Sequence, residues 1–267
     1  MDKIFSSLIK SFKNSYTIIE SEILALIEQI SEIDSNIFLH EPLKSFYGKD
    51  NMNNIKLIIF VIIFGVIIYK CGKIIIYMYK ENVFNFIPKI VIKAILTIII
   101  VVNSSYILKE IINLNYLFTE TIESLFSEII NDEISFEALV KNFNSVEEFL
   151  KDKFKINIKD SSKVISCILL IALLIIFSIR YVTIVLFLIL FPFIVLFFIF
   201  NSNNYIIRKI FIIFVLNLTI QNLNKVILFI PLVSKREKLY EIILIGTLFV
   251  LYKINKSVIN IGDIWKR

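Results

Sequence analysis

The sequence predicts an all-α, polytopic membrane protein, and three observations carry that expectation. Of 267 residues, 57% are apolar and only 19% charged, with a mean hydropathy of +0.80, which leaves too little polar material for a water-facing surface. Long apolar stretches carry little or no charge, and the run from Tyr181 to Phe200 carries none. Glycine occurs 5 times and proline 4, too rarely for Gly-rich phosphate loops or the tight turns of β-sandwiches.

A spanning helix needs roughly 20 apolar residues, fewer where Lys or Arg at its ends can snorkel. Five segments meet this rule. The first runs from about Ile55 to Tyr77, with an uncharged centre from Leu57 to Tyr69. The second runs from Ile87 to Leu108 and ends near Asn103, Ser104 and Ser105, where helix capping is the expected role. The third is Val164 to Ile179, closed by Arg180, and the fourth is Tyr181 to Phe200, interrupted only by Pro192. The fifth spans Ile210 to Val233 and contains Lys225. A sixth segment, Leu239 to Tyr252, is shorter and carries Glu241, so it either spans or lies at the interface.

Outside these spans the pattern is still helical. Leu8, Phe12, Ile19, Ile23, Leu26, Ile30 and Ile33 recur at helical spacing, which predicts an amphipathic N-terminal helix rather than a cleavable signal peptide. Ile111, Leu114, Phe118, Ile122, Leu125 and Ile129 predict another helix continuing out of the second span, with a capping box following at Ser145-Val146-Glu147-Glu148. The resulting organisation is an extracytoplasmic amphipathic region (1–54), a first hairpin with a basic loop (55–108), an acidic helical segment outside (109–163), a membrane bundle (164–252) and a basic tail (253–267).

Charge sets the expected orientation, because Lys and Arg stay on the cytoplasmic side. Residues 70–93 hold five Lys and one Glu, a net of +4, and belong inside. Residues 109–163 hold seven basic and eleven acidic side chains, a net of −4, and belong outside with residues 1–54, which carry five Lys against eight acids. From Lys235 onward seven basic residues face three acids, again +4. The expectation is a bacterial cytoplasmic membrane protein with its N-terminus outside and C-terminus inside. Arg208 and Lys209 are discordant, since this scheme puts them outside.

Candidate chemistry is sparse. Cys71 and Cys167 lie in or beside apolar runs, and His40 is the single histidine, so neither a catalytic triad nor a metal site can be drawn. No Walker lysine loop is present, so any ATPase must be another chain. The residues that stand out are polar groups inside spans. Asn217, Gln221 and Asn224 share one face of the fifth span, where a polar stripe should avoid lipid. Packing by interhelical hydrogen bonds is the expected use, and a hydrated conduit or subunit contact is the alternative. Pro192 removes a backbone hydrogen bond and can kink the fourth span.

Arg180-Tyr181-Val182 opening an apolar span, then Pro192, a polar break at Asn201 to Asn204, and a following span with Gln221, resembles the membrane core of the VirB6/TrbL-type subunits of conjugative type IV secretion systems. The resemblance covers about 40 residues. It implies a non-enzymatic channel or scaffold subunit that forms homo-oligomers, works with other secretion subunits and a separate ATPase, and needs no cofactor. The chain departs from the family in lacking Gly and Ala richness, and its single tryptophan, Trp265, is in the tail. A stand-alone transporter or permease is the alternative, though no internal repeat is present. Direct nucleic-acid binding has no aromatic interleaving in the basic loops to favour it.

Overall fold

A computed structural model gives the three-dimensional structure, described for residues 22–77, 86–130, 134–136, 138, 159–200, 205–233 and 240–264. The capping box at Ser145 and Trp265 lie outside these residues. Every regular element among them is helical. Residues 22–31 form α1, followed by a short 3-10 turn, Ser35–Leu39, and by α2, Leu43–Phe46. The longer helices are α3, Lys49–Tyr77; α4, Phe86–Val102; α5, Ser104–Ile130; α6, Lys159–Phe200; α7, Tyr205–Val233; and α8, Tyr240–Ile264.

Local chemistry explains the breaks. The Asp34 carboxylate accepts from the Asn36 amide at 3.0 Å and caps the 3-10 turn. Gly48 separates α2 from α3, because a Cβ there would come within 3.1 Å of the Ser45 carbonyl oxygen. Asn103 ends α4 by donating its side-chain amide to the Ile99 carbonyl at 2.8 Å, the capping role expected of it. The chain bends by 67° there.

Three helices are long and apolar enough to cross a membrane, through Lys49–Lys73, Ile168–Phe197 and Arg208–Val233; the bent α4–α5 pair makes a fourth if it is one span. The chain is therefore an all-helical membrane protein. The expected third and fourth spans are one continuous helix of 42 residues, about 63 Å long. Arg180 is not a loop residue between them. Between Val164 and Phe200 only Pro192 disfavours helix, and Pro192 sits inside α6 without ending it; the positive charge that suggested a loop is buried instead.

The chain divides into two compact units, described separately. Unit 2 takes its described residues from Asp34–Leu114 and Thr183–Val215. There α4 packs on α3. Ile59, Ile63 and Val66 on α3 and Ala94, Thr97 and Val101 on α4 are buried, spaced so that each set shares one helix face. Phe187 stacks on Phe214 with ring centroids 3.9 Å apart. The Tyr47 hydroxyl donates to the Leu188 carbonyl at 2.6 Å, and burial pushes that phenol above its ordinary value. Leu57, Val61 and Phe64 on α3 remain exposed, as a lipid-facing surface requires.

Unit 1 takes its described residues from Met1–Ile33, Asn115–Val182 and Leu216–Arg267. Its apolar core joins Leu24 and Ile27 of α1, Leu173 and Phe177 of α6, Leu228 and Leu232 of α7, and Leu244, Leu248 and Leu251 of α8. Phe126 stacks on Phe229 at 4.2 Å. α1 thus packs on its own chain, with Ile23 and Ile30 of the expected stripe against its core and Ile33 buried, while Leu26 of that stripe is not. Leu24, Ile27 and Ser31 are buried while Leu26 is half exposed. Apolar residues occur around most of this helix, so spacing alone did not select the buried face.

Candidate functional site

Unit 1 gathers the polar residues that the sequence placed in separate spans. α5 contributes Asn115 and Thr119, both buried, while Leu117, Phe118, Leu125 and Ile129 of the same helix are exposed. The apolar stripe of α5 is largely open, and Asn115 and Thr119 lie on its packed face. That inversion suits a helix in lipid, where no hydrophobic force drives apolar faces together and polar groups must satisfy one another.

The stripe on α7 meets this face. Gln221 donates from Nε2 to the Thr119 hydroxyl at 3.0 Å, which donates to Asn222 Oδ1 at 2.6 Å. Asn222 in turn donates to Asn115 Oδ1 at 3.1 Å, and Asn115 donates to the Leu218 carbonyl at 3.1 Å. Asn224 accepts at 2.8 Å from Asn255 of α8. Asn217 is buried on the same helix face. Gln221 and Asn224 of the stripe thus hydrogen-bond to side chains of neighbouring helices.

The centre of the site is the segment where α1 ends. Ser31 is the last residue of α1, and Glu32 and Ile33 follow it in non-helical backbone, whose main-chain groups need partners once buried. Arg180 of α6 and Gln221 of α7 pair with the main chain of this segment, and Lys225 of α7 pairs with its Glu32 side chain. Arg180 donates from Nη2 to the Ser31 carbonyl at 2.5 Å. Gln221 accepts from the Ile33 amide at 3.1 Å, and its Nε2 lies 3.5 Å from the Ile33 carbonyl. Lys225 pairs with Glu32, and also with Glu123 at 3.0 Å and with the Ile134 carbonyl at 3.0 Å. An ammonium has three N–H donors, and Lys225 uses each one.

Arg180 is less well served. It is 1% exposed. Its guanidinium lies 5.5 Å from the Phe177 ring, and Glu32 lies within electrostatic range. Yet Nε and Nη1 have no hydrogen-bond partner among the described residues. A recess with room for about one water is lined by Glu28, Ser31, Glu32, Gln221, Asn224 and Lys225. Arg180 and Gln221 lie near the middle of the spans Ile168–Phe197 and Arg208–Val233, where charge is costly and kept for a purpose.

Of the sequence-selected residues, Arg180, Gln221, Asn217 and Asn224 belong to this unit, and Pro192, buried in α6, belongs to unit 2. Sequence reasoning missed Ser31, Glu32, Glu123 and Asn255. The available signal was Lys225: a lysine inside a span implies a carboxylate partner, and Glu32 and Glu123 lie on helices with apolar periodicity. Among the described residues, no group of three or more His, Cys, Asp and Glu is placed to hold a metal. No protein-family model, curated protein or solved structure matches the chain.

Proposed function

We propose that the protein is a membrane-embedded channel or scaffold subunit of a type IV secretion or conjugation apparatus, without an active site of its own. The observation that carries this reading is the convergence of Arg180 and Gln221. They are the two polar residues of the secretion-subunit resemblance that lie farthest apart in sequence, and they hold the same three-residue segment. The ATPase and the remaining conduit come from other chains. Purification of the tagged chain from its native membrane tests this: co-purification with a secretion ATPase supports it. Recovery of the chain without secretion subunits, together with undiminished transfer after its deletion, overturns it.

The charge pattern supports a bacterial cytoplasmic membrane with the N-terminus outside. One continuous α6 changes the order of crossings after it. With α4–α5 as one span, Arg208 and Lys209 move to the inner side, where the positive-inside tendency favours them. Inclusion of α8 as a fifth span then returns the tail to the inside. Cysteines introduced at Ser145 and Lys256 test the count: labelling from opposite sides supports five spans, and labelling from one side limits them to three or four.

A second reading, a stand-alone transporter, draws on the ion pairs of Lys225 beside the mid-span recess, since such groups also form proton and ion paths. Uptake of a solute by the pure protein in proteoliposomes would favour it.

A further inference from the structure

We infer that the arm formed by residues 22–33 is exchangeable between copies of the chain, with Arg180, Gln221 and Lys225 forming a clasp that accepts the Ser31-Glu32-Ile33 segment of a second copy. The inference stands on the geometry of the arm and does not rest on the secretion reading.

Connectivity is the first ground. The chain leaves unit 1 at Ile33 and does not return to it until Asn115. Within the unit the arm is therefore held by non-covalent contacts alone, namely the apolar burial of Leu24 and Ile27 and the three clasp interactions. The stretch that follows the arm includes His40, Glu41 and Pro42, all exposed, which suits a hinge.

The second ground is what the clasp reads. It takes the Ser31 carbonyl, both main-chain groups of Ile33 and the Glu32 carboxylate. All of these come from three consecutive residues, so the arm of any copy presents them in the same form. Exchange loses no contact, which is why swapped elements are a low-cost route to oligomers.

The third ground is the penalty of the alternatives. An arm withdrawn without replacement takes from Arg180 its hydrogen bond near mid-membrane, and takes Glu32 from Lys225, which keeps Glu123 and the Ile134 carbonyl. It also leaves the main-chain groups of Ser31 and Ile33 to be paired elsewhere. Only an equivalent clasp restores all of these. The open state is thus avoided, and the local concentration of copies decides between the closed monomer and the exchanged form.

A charge-swap complementation tests this. Glu32→Lys in one copy and Lys225→Glu in a differently tagged copy each place like charges in their own clasp, and opposite charges meet only by exchange. On co-expression, exchange is expected to give one particle of twice the monomer mass carrying both tags, whereas each variant alone accumulates poorly. Glu32→Lys and Lys225→Glu combined in one chain re-match arm and clasp within that chain. Accumulation of this double variant, with no mixed particle from the two single ones, overturns the inference. If the double variant fails to accumulate, Glu32→Cys and Lys225→Cys in separate chains, with Cys71→Ser and Cys167→Ser in both, decide the matter. A disulfide between the chains supports exchange. A disulfide formed only when both cysteines are in one chain, and then only within it, overturns it.

Discussion

The two units solve the same problem, packing helices in lipid, with different chemistry. Among the described residues of unit 2 the buried side chains are apolar apart from Thr97 and Ser104, and Phe187 stacks on Phe214. In unit 1 the apolar core of Leu173, Phe177, Leu228 and Leu248 is joined by Ser31, Asn115, Thr119, Arg180, Gln221, Asn224, Lys225 and Asn255. Lipid solvates leucine as well as a neighbouring helix does, so apolar contacts in a membrane give close packing but little choice of partner. Hydrogen bonds and ion pairs do discriminate, because an unpaired polar group cannot turn to water. Unit 1 should therefore be intolerant of losing one polar partner, and unit 2 tolerant of apolar exchange.

The largest expected effect comes from Lys225→Met. It strands Glu32 and Glu123 and should cost about 3–5 kcal/mol, read as loss of the folded peak in detergent; a Tm within a few degrees of wild type would refute the ion cluster as a structural centre. Arg180→Met should cost clearly less. Its guanidinium makes one hydrogen bond in place of the three donor contacts of Lys225, and the change also removes two unpartnered N–H groups. Parity between the two variants would mean that Arg180 has a stronger partner than the Ser31 carbonyl.

Gln221→Ala removes the acceptor for the Ile33 amide and the donor to Thr119, for about 1–3 kcal/mol; faster hydrogen exchange at the Ile33 amide is the specific readout. In unit 2, Tyr47→Phe removes one hydrogen bond and should cost about 0.5–1.5 kcal/mol. Because burial raises the Tyr47 pKa, the neutral phenol is the form the fold favours. Its contribution is complete below the ordinary value of 10.0 and fades as pH rises further. Absorbance titration at alkaline pH should show one tyrosinate lost from the late-titrating set in this variant. The smallest change belongs to Leu188→Met, a near-isosteric swap limited to about 1.5 kcal/mol.

Much of the fold was legible in the sequence. Helical class and membrane residence follow from long uncharged runs, and the first and fifth spans were placed close to where α3 and α7 carry them. The break near Arg180 was misjudged because a charge inside an apolar run was treated as a sign of water. The structure pairs that charge internally. The stripe of Asn217, Gln221 and Asn224 was visible from spacing, since residues on one helix face announce themselves by period. Its partners were not: Glu32 lies 193 positions from Lys225 and Thr119 lies 102 from Gln221, and no local pattern links residues so far apart.

The sequence by itself determined that this chain is helical, that it resides in lipid, and which helix face must avoid it, because those properties depend on composition and on a period of 3.6 residues. Only the tertiary structure decided that α6 runs unbroken through Arg180, that the polar side of α5 is its packed side, and that residues 31–33 enter the bundle to be held there. Each of those outcomes depends on which distant group satisfies a buried donor or charge, and that pairing exists only once the helices have met.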